Sequence, residues 1–187
     1  MVSQFVSTHP VALLGDLGYD FPPGTHAIGR LDNHSEGLLL LSTDKKVTRL
    51  LFEGERKHRR VYLVQVKNTV SPQSLEQLRQ GIPIRVRGGG WYRTSPCLAD
   101  LVEDPGTYFR DWNQERAFPP YSWLVLTLTE GKFHQVRKMV KALHHPCRRL
   151  IRISIEGIQL GDMAPGEIRE LPQAAFFEKL GIDYTAD

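Results

Sequence analysis

The hydrophobic and polar positions along the chain resolve into short elements with two periods. Leu38 to Leu41 is one of the longest wholly apolar runs and reads as a short buried strand, reached from a polar Gly-containing loop that opens near residue 28. Val47, Leu50 and Leu51 then recur at helical spacing, with Ser42 or Thr43 placed to cap that helix. Val61 to Lys67 alternates as a strand, Tyr62, Val64 and Val66 on one face and Val61, Leu63 and Gln65 on the other. Ser71-Pro72 opens a helix carrying Leu75 and Leu78, which Gly81 ends. Gly88-Gly89-Gly90 reads as a flexible turn, and residues 100 to 120, acidic and broken by Pro105, Gly106, Pro119 and Pro120, as an irregular insertion.

A strand from Ser122 to Leu128 follows, and after Gly131 the period becomes helical. There Val136, Met139, Val140 and Leu143 share one side, while His134, Arg137, Lys138 and Lys141 share the other, so one face packs and the other is cationic. Arg148 to Ile155 alternates as another strand, and a C-terminal helix around Ala174 to Leu180 ends at Gly181. Strands and helices interleave without regular βαβ units. This predicts an α+β fold with a mixed, largely antiparallel sheet and flanking helices.

The 187 residues suit a single catalytic domain, and 41% hydrophobic with 24% charged residues is ordinary globular usage. No run is long enough to span a bilayer, and Met1-Val2-Ser3-Gln4-Phe5 shows no secretory pattern, so a cytoplasmic location is expected. Cys97 and Cys147 are then expected to be separate reduced thiols. Nothing in the pattern requires an oligomer, which makes a monomer the expectation.

Charge changes the picture more than composition does. The net charge is only +3, yet Lys45 to Arg60 holds seven Lys/Arg against two acids, and Glu130 to Arg152 seven against one. Two basic blocks on an otherwise acidic chain suit a localised polyanion-binding surface, or else a pair of solvated helix faces.

Metal-ligand patterns such as Cys-x-x-Cys and His-Glu-x-x-His are absent, His144-His145 are adjacent, and no Gly-x-Ser-x-Gly elbow occurs. The run Gly29-Arg30-Leu31-Asp32-Asn33-His34-Ser35-Glu36-Gly37-Leu38 instead carries two acids, an arginine and a histidine on a polar loop leading into the buried strand. Asp32 is in that setting either a turn aspartate or a catalytic acid, and pattern alone does not choose between them.

The segment Gly29 to Leu41 resembles the catalytic motif of the ribosomal small-subunit and large-subunit pseudouridine synthases. Glu130-Gly131-Lys132-Phe133-His134-Gln135-Val136-Arg137-Lys138-Met139 is similar to their second signature, and Arg149-Leu150-Ile151-Arg152, followed by Pro165 to Leu171, to a third. The matches keep their order over residues 26 to 171, and the subgroup most resembled is the type E pseudouridine synthases of large-subunit rRNA.

That resemblance implies the pseudouridine synthase fold, no cofactor, and ribosomal RNA, of the large subunit, as partner. It implies Asp32 as the catalytic aspartate, with Arg30 two positions before it, Tyr62 as an active-site tyrosine, Arg137 as the partner of the aspartate and Leu150 as pocket lining. Relatives usually begin with a strand carrying a Lys-Pro motif, which this sequence lacks, and Phe133-His134 stands where Asn-Arg is common.

The chemistry suits those residue types. Turning uridine into its C-glycoside breaks the N1 to C1′ bond, rotates the base and rejoins it through C5, with nothing oxidised or hydrolysed. A carboxylate can start this only when ionised, and an arginine partner favours that form. An aromatic such as Tyr62 suits a base taken out of its stack. Lys132, His134, Lys138 and Lys141, together with Lys57, Arg59 and Arg60, are expected on RNA phosphates, while His34 and Glu36 shape the loop. A non-catalytic RNA-binding protein and a small-molecule enzyme using Asp32 are the competing readings.

Overall fold

The computed structural model describes residues 1–52, 56–108 and 120–183. Its centre is a sheet whose strands run in the order β10 (Ile158–Gln159), β9 (Cys147–Ile155), β4 (Arg60–Lys67), β8 (Tyr121–Leu128) and β7 (Leu98–Val102), every neighbour antiparallel. A sixth short strand, β2 (Glu36–Gly37), joins β9 in parallel. Two hairpin-like pairs stand apart, β1 (His26–Ile28) with β3 (Leu40–Ser42) and β5 (Pro83–Arg85) with β6 (Trp91–Arg93). Among the described residues the α-helices are α1 (Lys46–Phe52), α2 (Pro72–Gln80), α3 (Gln135–Ala142) and α4 (Gln173–Leu180). The architecture is α+β, as the interleaved pattern predicts.

Alternation along β4 divides the interior in two. Val64 and Val66 join Leu124, Leu126 and Leu150 in a core closed by Leu75 and Leu78 of α2 and Val136, Met139 and Val140 of α3. Leu63 faces the opposite side, with Ile151, Ile155, Val47 and Leu51 of α1, and Phe177 and Leu180 of α4. Both helix ends of α2 follow from local chemistry: the Ser71 hydroxyl accepts the Ser74 amide, and Gly81 at φ +78° turns the chain against the Thr94 carbonyl, where a Cβ would lie 2.1 Å from oxygen.

Three expectations need correction. The apolar run Leu38–Leu41 is not one strand: Glu36-Gly37 pairs with β9, and the chain then shifts to pair Leu40–Ser42 with β1. The start of α1 is capped by Asp44, whose Oδ1 accepts the Lys46 amide at 2.8 Å, while Ser42 Oγ holds the Asp44 amide instead. The supposed irregular insertion begins with ordered β7, which contains residues 100–102, and a short 3-10 turn at Pro105–Thr107; residues 109–119 lie outside the described residues.

Candidate active site

The Asp32 loop is held in place by arginines from elements distant in sequence. Gly37 makes the first anchor possible. At φ +98° it lies so close to β9 that a Cβ would sit 2.3 Å from the Arg152 carbonyl oxygen. That approach lets the Leu38 amide donate to Arg152 O while Arg152 Nε donates to Leu38 O, both at 2.8 Å. Arg149 adds a bidentate pair to Glu36, at 2.7 and 2.8 Å. From α3, Arg137 donates to the His34 carbonyl oxygen and lies 3.5 Å from Ser35 Oγ. Within the loop, the Ser35 amide donates to Asp32 O at 2.8 Å, which tightens the turn around the carboxylate.

Asp32 therefore sits on a braced turn with its side chain 32% exposed, and His134 Nε2 is 3.5 Å from its Oδ1. His134 stands at the N-terminus of α3 in the left-handed region, φ 54°, and stacks on the exposed Phe133 ring with centroids 3.8 Å apart. Lys138 Nζ lies 5.2 Å from the Phe133 centroid.

β-sheet register supplies the floor. Tyr62 of β4 is opposite Arg152 of β9 and Val64 is opposite Leu150, so Tyr62, Arg152 and Leu150 share one face. Arg152 is 5% exposed and its Nη2 has no hydrogen-bond partner. Burial pulls its pKa below the usual arginine value, Arg60 adds to that, and the neighbouring Tyr62 and Asp32 both oppose it. An arginine stays charged even so, which places a desolvated positive charge beneath Tyr62 and Asp32.

The second signature has its own support. Burial opposes ionisation of Glu130, but hydrogen bonds from the Tyr92 hydroxyl, the Ser95 amide, Gln135 and the Ser95 hydroxyl outweigh it and hold its pKa below the ordinary glutamate value. Gln135 Oε1 also accepts the Lys132 amide at 2.8 Å, which fixes the entry into α3.

The structure sets His134 beside the Asp32 carboxylate and puts Tyr62 and Leu150 on the sheet face of Arg152, with Arg137 bracing the loop backbone. The expected Asp32–Arg137 ion pair is replaced, because Arg137 reaches the next turn of the loop rather than the carboxylate. Arg30 points away, its Nη1 3.1 Å from the Gln4 side-chain oxygen in the amide orientation that completes its bonds. Of the first basic block, Lys57 is exposed, but Arg59 pairs with the inward Glu156 at 3.3 Å and Arg60 lies over the Phe52 ring. Arg59 nonetheless keeps its side chain 66% exposed. Lys132 lies 4.7 Å from the Tyr92 centroid, and Lys141 is exposed.

Arg152 is the site residue that pattern reading passed over, although alternation along β9 already put it on the face of Leu150. A groove of about 1420 Å³ borders the loop and is lined by Leu14, Leu17, Leu39, Met163 and Phe176 among others. Asp32 borders it, but Tyr62, Arg137 and Leu150 do not line it. A chiefly apolar trough suits a charged ligand less well than the cationic face does. Among the described residues no cluster of three or more His, Cys, Asp or Glu is arranged to hold a metal, and no helix is long and apolar enough to cross a membrane.

Residues 17–142 match the family described as RNA pseudouridylate synthase. The ribosomal large subunit pseudouridine synthase E of Vibrio vulnificus is 35% identical over 155 residues, which is 81% of this chain and 64% of that protein. The protein of the same name from Xanthomonas campestris is 33% identical over 90% of this chain and 89% of its own length. A crystal structure of a pseudouridylate synthase superposes with a TM-score of 0.68 at 26% identity, covering 90% of this chain and 65% of that one. The chain thus spans somewhat under two thirds of the first of these relatives, and it belongs to the RNA pseudouridylate synthase family.

Proposed function

We propose that this protein converts a specific uridine of ribosomal RNA, in the large subunit, to pseudouridine, acting in the cytoplasm as one catalytic domain. The observation that carries the reading is the Asp32 carboxylate on a braced loop beside His134, with that loop anchored on the buried Arg152, which stands opposite Tyr62 in the sheet. The names of the relatives support the ribosomal RNA substrate and its large-subunit origin.

In this reading Asp32 is the catalytic carboxylate, attacking the sugar or base or assisting loss of the base. Tyr62 packs against the extracted uracil while N1 leaves C1′ and C5 takes its place. Arg152, desolvated below, steadies negative charge on Asp32 and on the departing base. Arg137, Arg149 and Glu36 are positioning residues that act through the loop. Lys132, Lys138 and Lys141 meet phosphates without regard to sequence.

The test is nucleotide-resolution mapping of pseudouridine on unmodified large-subunit rRNA, with Asp32→Asn beside the parent protein. The expected result is one new site, with a rate lowered by on the order of 1000-fold or more in the variant and binding kept. Binding without modification by the parent protein would sink the enzymatic reading in favour of an RNA-binding module.

A further inference from the structure

The β5–β6 hairpin is left unexplained by the site at Asp32. Its register pairs Pro83 with Arg93, Ile84 with Tyr92 and Arg85 with Trp91. Alternation therefore gives it two faces. Ile84 and Tyr92 point inward, Ile84 at 2% exposure in the core beneath α3. Pro83, Arg85, Trp91 and Arg93 point outward, and all four are exposed. Arg87 is exposed in the turn that Val86 and Gly90 close, the Val86 amide donating to Gly90 O at 2.9 Å.

Trp91 is 67% exposed, and the Arg85 guanidinium lies 5.3 Å from its ring centroid. An indole this open forgoes the burial that normally holds tryptophan in a fold. Around it the sequence carries no Asp or Glu from Gln77 to Ala99. Among the described residues no carboxylate pairs with Arg85, Arg87 or Arg93. A flat aromatic surface set among exposed guanidinium groups is the chemistry that receives an unstacked base and its flanking phosphates.

The hairpin is also continuous with the site. Tyr92 on its inner face donates its hydroxyl to Glu130 and lies under Lys132 Nζ at 4.7 Å. Lys132 and Phe133 lead directly into His134, the neighbour of Asp32. From the inner face of the hairpin, Tyr92, Lys132, Phe133, Lys138 and His134 thus lead toward Asp32, while Trp91 stands next to Tyr92 on the outer face.

We infer that the outer face of this hairpin, Trp91 with Arg85, Arg87 and Arg93, is a second RNA-contact surface that stacks an unpaired nucleotide outside the target uridine and holds its neighbouring phosphates. The inference rests on the RNA-modifying reading of the Asp32 site. It assigns to the hairpin substrate affinity, not chemistry.

The experiment measures Kd by filter binding, and KM and kcat for pseudouridine formation, on an unmodified large-subunit rRNA transcript between 50 and 200 mM salt, values chosen to expose phosphate contacts (~0.7 per single-strand contact in salt slope). Trp91→Ala should raise Kd and KM about 5- to 100-fold and leave kcat at saturating RNA unchanged, with Trp91→Phe keeping most of the affinity. The double variant Arg85→Gln/Arg87→Gln, which keeps the indole, should lower the salt slope by about 1.4. The unchanged kcat doubles as the sign that each variant is folded. Parental Kd, KM and salt slope in both variants would overturn the inference while the parent protein still modified its RNA, as they would if the hairpin served a protein partner. A parent protein that neither binds nor modifies the transcript would overturn the reading of the whole site, and this surface with it.

Discussion

Two sets of arginines in this chain do opposite things. Arg137, Arg149 and Arg152 turn inward and end on the Asp32 loop, at the His34 carbonyl, the Glu36 carboxylate and the Leu38 carbonyl. Arg85, Arg87 and Arg93 turn outward on a hairpin with no acid in its sequence. Charge counts along the chain rank the region of the first set as the more basic, yet three of its seven cations, Arg137, Arg149 and Arg152, are already engaged by the protein. Phosphate binding depends on what a cation has left to offer, so local charge density overstates the affinity of the second basic block and understates that of the hairpin.

That contrast can be broken most forcefully at Gly37. Gly37→Ala places a methyl against the Arg152 carbonyl and a side chain at φ +98°, and it should cost about 3 kcal/mol or more of unfolding free energy, read by urea denaturation, with activity lost as the loop detaches. Arg152→Lys is subtler. It keeps a charge but loses the Nε bond to Leu38 O, and kcat should fall roughly 10- to 100-fold with rRNA affinity unchanged. A rise in Kd without a fall in kcat would place Arg152 among the binding cations and erase the distinction drawn above.

The Glu36–Arg149 pair sharpens it further. The two side chains are 44% and 27% exposed, so a double-mutant cycle with Glu36→Gln and Arg149→Gln should return a coupling of only about 0.5–1 kcal/mol. Glu130 gives the smallest effect and a pH signature. Its folded pKa lies below the unfolded value, so its stabilising contribution is present above about pH 4.5 and lost as pH falls through the folded pKa. Glu130→Gln should flatten the dependence of stability on pH in that acidic window and leave the slope near neutrality as it was. An unchanged acid slope would show that its hydrogen bonds do not favour the ionised form.

How far the site could be read in advance varies residue by residue. α3 was legible because three buried residues, Val136, Met139 and Val140, obey one helical stripe in a short window. β4 was legible because its two faces meet two different cores, so period two shows through. The Leu38 run misled because one apolar stretch serves two partners, β9 and β1, and the switch between them depends on the Gly37 approach rather than on hydrophobicity. Family resemblance pointed to Asp32, Tyr62 and Leu150, and to Arg137 as partner of the carboxylate. The turn of the loop instead directs Arg137 to its backbone.

Periods and charge blocks are local quantities, set by neighbours within a few residues, and so they settled the helical stripes, most long strands and the cationic face of α3, though not the cap of α1. The bracing of Asp32 joins residues more than a hundred positions apart, as between Leu38 and Arg152. So does the engagement that separates inward from outward arginines. Those outcomes depend on which backbone carbonyls and carboxylates the tertiary packing delivers to each guanidinium, and no local pattern carries that information.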